Sequence, residues 1–376
     1  MSSQLYDSRV QLAKDFMAMK ELSKIPFYPS IQTWGIWYGG GTTEECLGNP
    51  KKELEIYGKM IKEIPIDGIP IFGHNSPGFL AQSMGYCKTR ISNDKITVQT
   101  DDSNCIYDGE LAEYVKDPVN FLMKTSLPRK YPKLQGSESE AVDAVQKAIK
   151  SFLGFKIRGI YLQKQLSRSY DTPLLASAPM TMPFDILLPI RGFKGTVIDA
   201  RRDPQLVAAA TETLTDFCMP MGKQVDFPFK ICPMIGPTYL SPKAFDIIYM
   251  PSCNRIIDEY NRHGAKCLLV PEGKWQTHFE KFIDRASGTI GFMLDDDDPQ
   301  YVNNLLNHKF AVIYGIKNEV LMNGNTNSAV DAAKELIDSV GNKHMAISFR
   351  RALLSPGDAK KENVQAIGEY LDTFKI

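Results

Sequence analysis

The chain reads AKCLLVPEGKWQTHFEKFIDRASGTIGFMLDDDDP at residues 265–299, and this stretch contains the pattern that decides the fold. The two apolar runs, CLLVP and TIGFML, are continuous and do not alternate with polar residues. Such runs are typical of strands that are buried on both faces of a parallel sheet. Between them, WQTHFEKFIDRA (275–286) has the apolar spacing of a helix. The stretch therefore predicts a strand–helix–strand unit of an α/β protein.

The same alternation extends in both directions from this stretch. Further strands are expected at DGIPIFGHN (67–75), LLASAPM (174–180), FPFKICPMIG (227–236), FAVIYGI (310–316) and MAISFRRALL (345–354). Helices are expected between them, and Asp203-Pro204 and Ser241-Pro242 provide start signals for two of these. The predicted helices cover residues 203–222, 241–264, 299–308, 327–341 and 362–374.

The number of units approaches that of a (β/α)8 TIM barrel. We therefore predict an α/β barrel over residues 61–376 and an N-terminal helical extension, residues 1–60, packed on it. The polar segment 86–140 is expected to be a long excursion after the first strand. An open doubly wound sheet is the alternative, but it requires a glycine-rich dinucleotide turn, and IPIFGHNSPG is not GxGxxG.

Composition excludes several classes of protein. The 376 residues contain 44 lysines and arginines and 44 aspartates and glutamates, so charge gives no reason to expect nucleic acid or an anionic membrane as a partner. The sequence has no run of eighteen apolar residues, and the N-terminus lacks the apolar core of a secretion signal. Seven cysteines never form a CxxC pair, which disfavours disulfides and structural zinc. We expect a soluble, cytoplasmic protein.

In a barrel, functional side chains follow the carboxyl ends of the strands. Glu272 follows CLLVP directly, and its carboxylate could act as a general acid, bind a metal or cap the next helix. Of the five histidines, only His74 directly follows a predicted strand. Asp295 belongs to the run Asp295–Asp298 that ends the next strand, where at least one acid is expected to cap a helix. Glu272, His74 and Asp295 are the predicted catalytic residues.

Other residues near the predicted strand ends are candidates for substrate contact. Trp34 belongs to an aromatic, glycine-rich segment that could cover a ligand or simply pack as part of the N-terminal extension. The sequence has no HxH or HExxH motif, and His263, His278 and His308 fall in or at the ends of predicted helices, where exposure is expected. The predicted substrate-binding residues are Asn75, Met182, Met234, Asp297 and Trp34.

Several segments together resemble the uroporphyrinogen decarboxylase superfamily, in particular its branch of corrinoid-dependent methyltransferases that demethylate methoxylated aromatics. The resemblance extends over some 260 residues and depends on the order of the segments. They are YDGELAEYVKDPVNFLMKTSLPRKY (107–131), MPFDILLPIRGFKGTVIDARRDPQLV (182–207), YLSPKAFDIIYMP (239–251), VPEGKW (270–275), LDDDD (294–298) and DAKKENVQAI (358–367).

The resemblance implies a (β/α)8 barrel and a reaction that moves a methyl group from an aryl methyl ether to the cobalt(I) of a corrinoid. It implies two partners, a corrinoid-binding protein and a small aromatic substrate, and leaves a homodimer open. Members that bind zinc have a histidine and a cysteine where this chain has Val270 and Leu353. Of the implied ligands only Glu272 remains, so zinc is not expected unless Cys232, His74 or Asp295 rebuilds the site.

Two other functions remain open at this point. The chain could be a decarboxylase or lyase of the same superfamily, with a changed site on a retained barrel. It could also be a catalytically altered homologue that binds a small molecule or a corrinoid protein, because fold does not fix function.

Overall fold

The protein is described from a computed structural model that covers residues 3–73, 77–101, 104–176, 179–220, 222, 227–306 and 308–376. It has a mixed α/β fold with two sheets in this part of the chain. The strands of the first are β1 (Thr89–Ile91) and β2 (Val98–Thr100). Those of the second are β3 (Lys230–Met234), β4 (Cys267–Pro271), β5 (Ile290–Met293), β6 (Ala311–Ile316) and β7 (Met345–Phe349).

The larger sheet is parallel, and its strands follow one another in chain order from β3 to β7. Cys267 pairs with Lys230 on one side and with Ile290 on the other, so the register passes continuously through β4. All four residues of β5 and all five of β7 are buried, as the continuous apolar runs predicted. Because the strands are parallel, their carboxyl ends lie along one edge.

Parallel bridges extend this sheet at both of its sides. Ala176 pairs with Phe229 ahead of β3, and Leu174 pairs in turn with Ile69. Beyond β7, Phe27 pairs with Ile347, and the Asp67 amide donates to the Phe27 carbonyl at 3.0 Å. Part of the predicted N-terminal extension thus joins the sheet. The regular strands of this sheet number five in the described residues, and a closed eight-stranded barrel stays a prediction.

Seventeen α-helices surround the sheet in the described residues. The first seven are α1 (Gln4–Met17), α2 (Thr33–Tyr38), α3 (Thr43–Cys46), α4 (Pro50–Glu63), α5 (Leu111–Lys116), α6 (Pro118–Phe121) and α7 (Leu127–Lys130). The next six are α8 (Glu138–Ser169), α9 (Pro183–Arg191), α10 (Phe193–Arg202), α11 (Pro204–Cys218), α12 (Pro242–Ala244) and α13 (Met250–Arg262). The last four are α14 (Pro299–Leu306), α15 (Asn318–Asn323), α16 (Thr326–Val340) and α17 (Lys361–Thr373).

The predicted helix starts agree with the structure, whereas one predicted helix is wrong. Asp203 caps α11 by accepting from the Leu206 amide at 3.0 Å, with Pro204 in the first turn. Residues 275–286, in contrast, contain only a 3₁₀ turn, Phe279–Phe282. The aromatic side chains of this segment pack on one another and on Phe292, and this packing replaces a regular helix. The segment 86–140 contains β1, β2 and α5 to α7.

The interior divides into two clusters of buried side chains. In the smaller cluster, side chains of α1 such as Phe16 pack with side chains from one face of the sheet, such as Leu268 and Ile313. The larger cluster lies between the other face and the surrounding helices. Both faces of the sheet are therefore covered. No helix in the described residues is long and apolar enough to cross a membrane.

A buried ion pair joins α4 to α8. Arg158 donates two hydrogen bonds to Glu53, from Nε at 2.8 Å and from Nη2 at 2.5 Å. Glu53 is fully buried, and only 11% of the Arg158 side chain is exposed. Paired guanidinium and carboxylate groups of this geometry satisfy each other at a site where either alone would be costly.

We expect Glu53→Gln to lower the free energy of unfolding by about 3 kcal/mol, because it leaves the Arg158 charge buried without its counter-ion. The measurement is the unfolding midpoint in urea. Glu55→Gln on the same helix is the control, since Glu55 forms only an exposed pair with Lys52 at 3.2 Å and should cost less than about 1 kcal/mol. Equal losses in the two variants would contradict the assignment of Glu53 as a buried ionic anchor.

Candidate functional site

Charged residues follow β4, β5 and β7 at the carboxyl edge of the larger sheet. Glu272 comes directly after β4, the run Asp295–Asp298 begins two residues after β5, and Arg350 and Arg351 follow β7. The Glu272 amide donates to the carbonyl of Met234, the last residue of β3, at 3.1 Å. The parallel hydrogen-bond pattern thus continues to Glu272 and fixes the position of its backbone at the end of β4.

Glu272 lies at the accessible surface of this edge, and its backbone is held on the side of β3. The Thr238 hydroxyl donates to the Glu272 carbonyl. The next residue, Gly273, has a φ of +76°, a left-handed conformation that a side chain would strain. The alternative that Glu272 caps the following α-helix fails, because β4 is followed by the 3₁₀ turn at Phe279–Phe282.

The four aspartates of the run have different structural roles. Asp295 accepts a hydrogen bond from the Gly273 amide at 2.8 Å, and Asp297 accepts one from the Trp275 amide, also at 2.8 Å. Both carboxylates therefore hold the loop after β4. Asp298 accepts from the Tyr301 amide at 2.8 Å in the first turn of α14, which makes it the capping residue expected within this run.

Burial dominates the electrostatics of these carboxyl groups. Asp297 is 1% exposed, and burial raises its pKa to about 6. Burial also raises the pKa of Asp295, and partial desolvation together with the neighbouring Asp295 carboxylate raises the pKa of Glu272. One oxygen each of Asp295 and Asp297, Oδ1 and Oδ2 respectively, has no hydrogen-bond partner in the described structure. The arrangement can hold protons that carboxylates in water release.

Arginines from the end of β7 face these acids. The Arg351 guanidinium lies 3.6 Å from Asp295 Oδ1 and donates to Asp296 Oδ2 at 3.2 Å. Arg350 lies 3.9 Å from Asp296, at the limit of an ion pair. The Arg351 side chain is 69% exposed, so it can also reach an anionic group on a ligand.

Sequence reasoning did not single out Asp185, the aspartate of the MPFD segment. It is buried, and its Oδ1 accepts from the Ile235 and Gly236 amides at 3.0 and 2.6 Å, while Tyr249 donates to its Oδ2 at 2.7 Å. Burial raises its pKa to about 6, and the Glu272 charge acts in the same direction. Asp185 thereby ties α9 to the loop after β3, a role that no spacing in the sequence indicated.

The prediction that His278 lies on an exposed helix face is wrong. Only 4% of the residue is exposed. Its ring stacks on Phe245 with the ring centroids 4.1 Å apart. Burial lowers the pKa of His278, which favours the neutral imidazole. Because WQTHFEKF packs as a compact turn, His278 points inward, where helical periodicity would have put it at the surface.

Three predicted site residues have side chains in the hydrophobic interior of the protein. Trp34, Met182 and Met234 are fully buried in the larger hydrophobic cluster. The Trp34 ring donates from Nε1 to the Ala359 carbonyl at 3.1 Å, a packing role that does not support contact with a substrate. His74 and Asn75 lie outside the described residues.

One cavity lies at the carboxyl ends of the strands, and a second lies between α8 and the segments that bridge to β3. One of about 530 Å³ opens beside the ends of β5, β6 and β7 and is lined by acids and by Lys274, Lys317 and Arg350. The other, of about 300 Å³, has mostly apolar walls that include Phe72, two residues before His74, and Phe227. Among the described residues, no group of three or more histidine, cysteine, aspartate or glutamate side chains is arranged to hold a metal ion.

Comparisons with known proteins agree with the fold. No protein-family model and no curated protein matches the sequence. Among solved structures, a methyltransferase from Methanosarcina mazei aligns with 97% of this chain and 98% of its own, with a TM-score of 0.64 and 13% sequence identity. At this identity the likeness shows a shared fold over the full length of both chains and nothing finer.

We expect Asp297→Asn to stabilise the protein at pH 8 more than at pH 4. With a folded-state pKa of about 6, above that of the unfolded chain, native stability falls as pH rises from about 4 through 6, because the buried carboxyl must ionise. The amide carries no charge, so the gain should be on the order of 2 kcal/mol at pH 8 and vanish at low pH.

The control is Asp298→Asn, which retains an N-cap in the exposed part of the same run. Its unfolding midpoint should change little at either pH. A gain for Asp297→Asn that is the same at pH 4 and pH 8 would show that Asp297 is not a buried group with a raised pKa.

Proposed function

We propose that the protein is a methyltransferase that transfers the methyl group of a methoxylated aromatic to the cobalt(I) of a corrinoid on a separate protein. The observation that carries the proposal is the cluster of Glu272, Asp295 and Asp297, carboxyls with raised pKa values at the strand-end edge. The shared fold with a methyltransferase and the resemblance of the ordered segments are consistent with it. We further propose that the bridges at both sides of the sheet close it into a barrel.

The reaction needs groups that this edge provides. Cobalt(I) supplies the electron pair for the new bond to the methyl carbon, while the bond from carbon to oxygen breaks and the phenolate leaves with its electrons. The leaving oxygen then takes a proton. The protein must hold the ring, align the three reacting atoms and supply that proton or a matching positive charge.

Glu272 is the best placed proton donor. It is exposed at the edge, so its carboxyl can reach a bound molecule, and its raised pKa keeps a proton available closer to neutral pH. Asp295 is less well placed for this role, because it is buried, its Oδ2 accepts from the Gly273 amide, and its Oδ1 faces the Arg351 guanidinium at 3.6 Å. Asp295 instead positions the loop and, through its charge, raises the pKa of Glu272.

His74 remains a second proposed catalytic residue and Asn75 a proposed substrate contact. The apolar cavity of about 300 Å³ includes Ile71 and Phe72, which lie three and two positions before His74 in the chain. A small cavity with apolar and aromatic walls suits an aromatic substrate. Exposed Arg351 could neutralise the phenolate oxygen if Glu272 does not.

Zinc does not fit the described residues. Val270 and Leu353 occupy the positions of two ligands in the zinc-binding members, and neither side chain can donate to a metal. Leu353 is fully buried, with its backbone amide and carbonyl bound to Ser30 and Gln32. We therefore propose a reaction in which acidic and basic side chains of the protein, and no zinc ion, act on the leaving oxygen.

Glu272→Gln keeps the size of the side chain and removes the proton donor. We expect methyl transfer to fall by roughly 10²–10⁴-fold, the usual contribution of general acid catalysis, with an unchanged melting temperature. The measurement is loss of the cobalt(I) spectrum when enzyme, reduced corrinoid protein and a panel of methoxyarenes are mixed.

Glu319→Gln is the matched control, because Glu319 is an exposed carboxylate after β6 at the same edge. It should retain the parental rate. Parental turnover by the Glu272 variant would end the catalytic assignment. Release of carbon dioxide without any corrinoid would identify a lyase instead, and ligand binding without turnover would identify an altered homologue.

Metal analysis tests the zinc assignment separately. We expect protein purified without added metal to contain no stoichiometric zinc, and a chelator to leave its methyl transfer unchanged. Stoichiometric zinc that is lost in Glu272→Gln would show that other residues rebuild the site around Glu272.

A further inference from the structure

Helix α8 carries a long row of apolar side chains that face solvent. The helix has 32 residues, and seven of its aliphatic and aromatic side chains are between 37% and 67% exposed. Exposed apolar residues are ordinary when scattered, but a continuous row marks a surface that another molecule covers. The members of this row are Val142, Val145, Ile149, Phe152, Leu153, Ile157 and Ile160.

The row forms one face of the helix, which we call the α8 face. Steps of three and four residues separate most of its members, the spacing that keeps side chains on one side of an α-helix. The buried residues Ala144, Leu162 and Leu166 lie on the other side, where α8 packs on the rest of the chain. The described part of the protein therefore leaves the α8 face largely open to solvent, although Ile160 at its end also borders the apolar cavity of about 300 Å³.

The order of residues along the α8 face reads the same from either end. An antiparallel copy centred at residue 151 would bring Val142 against Ile160, Val145 against Ile157, and Ile149 against Leu153. Each of these six side chains would then meet an apolar partner of the other chain, and Phe152 would lie against the aliphatic stem of Lys150 beside the axis. A face that is complementary to itself in reverse is what a twofold axis requires.

Charge follows the same symmetry. The same register would place Glu138 against Lys164, both exposed at opposite ends of the face. Neither residue has an ion-pair partner among the residues that the structure describes. The first turn of α8 is acidic, with Glu138 and Glu140, and the last turn contains Arg168, so the ends of two antiparallel helices attract and those of two parallel helices repel.

We propose that the protein forms a homodimer in which the α8 faces of two copies pack antiparallel about a twofold axis near residue 151. From Val142 to Ile160 the face is about 27 Å long, and the whole helix is about 48 Å, at 1.5 Å per residue. This length gives room for a row of contacts comparable to small biological interfaces, with an apolar centre and a charged rim. Lys156 also lies within the row, and its Nζ is 5.3 Å from the centroid of the Phe152 ring. The residue is exposed, so its charge stays near solvent.

The first test is the molar mass of the full chain over a dilution series, measured by light scattering. For the parental chain we expect twice the mass of one chain. Ile149→Lys or Ile157→Lys should raise the dimer dissociation constant by more than roughly 100-fold, because the symmetry buries each new charge twice. Phe217→Lys is the control, because Phe217 is at least as exposed, at 68%, but lies on α11. Circular dichroism should show all three variants folded.

The second test fixes the orientation. Glu138→Cys and Lys164→Cys are combined in one chain, with Cys87→Ser to remove the exposed native thiol. The two new thiols are about 39 Å apart on one rigid helix, so a disulfide between them must join two chains. We expect mild oxidation to give a covalent dimer, and Ile149→Lys in this background to abolish it.

Three outcomes would overturn the proposal. The chain could be monomeric at every concentration, whether or not a different protein binds the α8 face. It could form a dimer that Ile149→Lys and Ile157→Lys leave intact. It could also dimerise without forming the disulfide between positions 138 and 164, which would exclude the antiparallel register. None of these results depends on the methyltransferase activity, so each would leave the proposed reaction standing.

Discussion

The structure depends on the parallel pairing of β3 to β7 with both faces of the sheet buried. Burial on both sides favours apolar residues along the strands, with Lys230 at the start of β3 as an exception, and the acids of the candidate site come only after the strands have ended. Because the strands are parallel, their ends meet at one edge. Glu272, Asp295 and Arg351, which are up to 79 positions apart in the chain (272 to 351), thus come together without any local sequence motif.

This constraint also explains which parts of the molecule were predictable. Strands such as β6 and helices such as α11 follow from apolar runs and capping residues, which act locally, and they were predicted within a few positions. The segment 275–286 was not, because its aromatic residues gain more by packing on Phe292 than by continuing a helix. The same packing turns His278 inward, against the periodicity of the sequence.

The candidate site was predictable to a similar extent. Glu272 and Asp295 were identified from their place after apolar runs, which is a local signal. Asp185 was not, because its partners Ile235, Gly236 and Tyr249 are 50 to 64 residues away, and only the folded chain brings them together. Trp34 has an aromatic neighbourhood that reads equally well as a lid or as core, and the structure buries it. Its burial follows from contacts with the C-terminal segment around Ala359.

The long stretch of chain between Ile69 and Leu174, which contains α8, affects the way the chain reaches its fold. Leu174 pairs with Ile69, and Arg158 with Glu53, in each case across 105 residues. Bringing such distant segments together costs loop-closure entropy before any contact repays it, although each doubling of the loop adds only about 0.6 kcal/mol. The sheet from β3 to β7 needs far shorter closures. Folding should therefore start in the C-terminal half of the chain, and the docking of α8 onto α4 should follow the formation of this sheet.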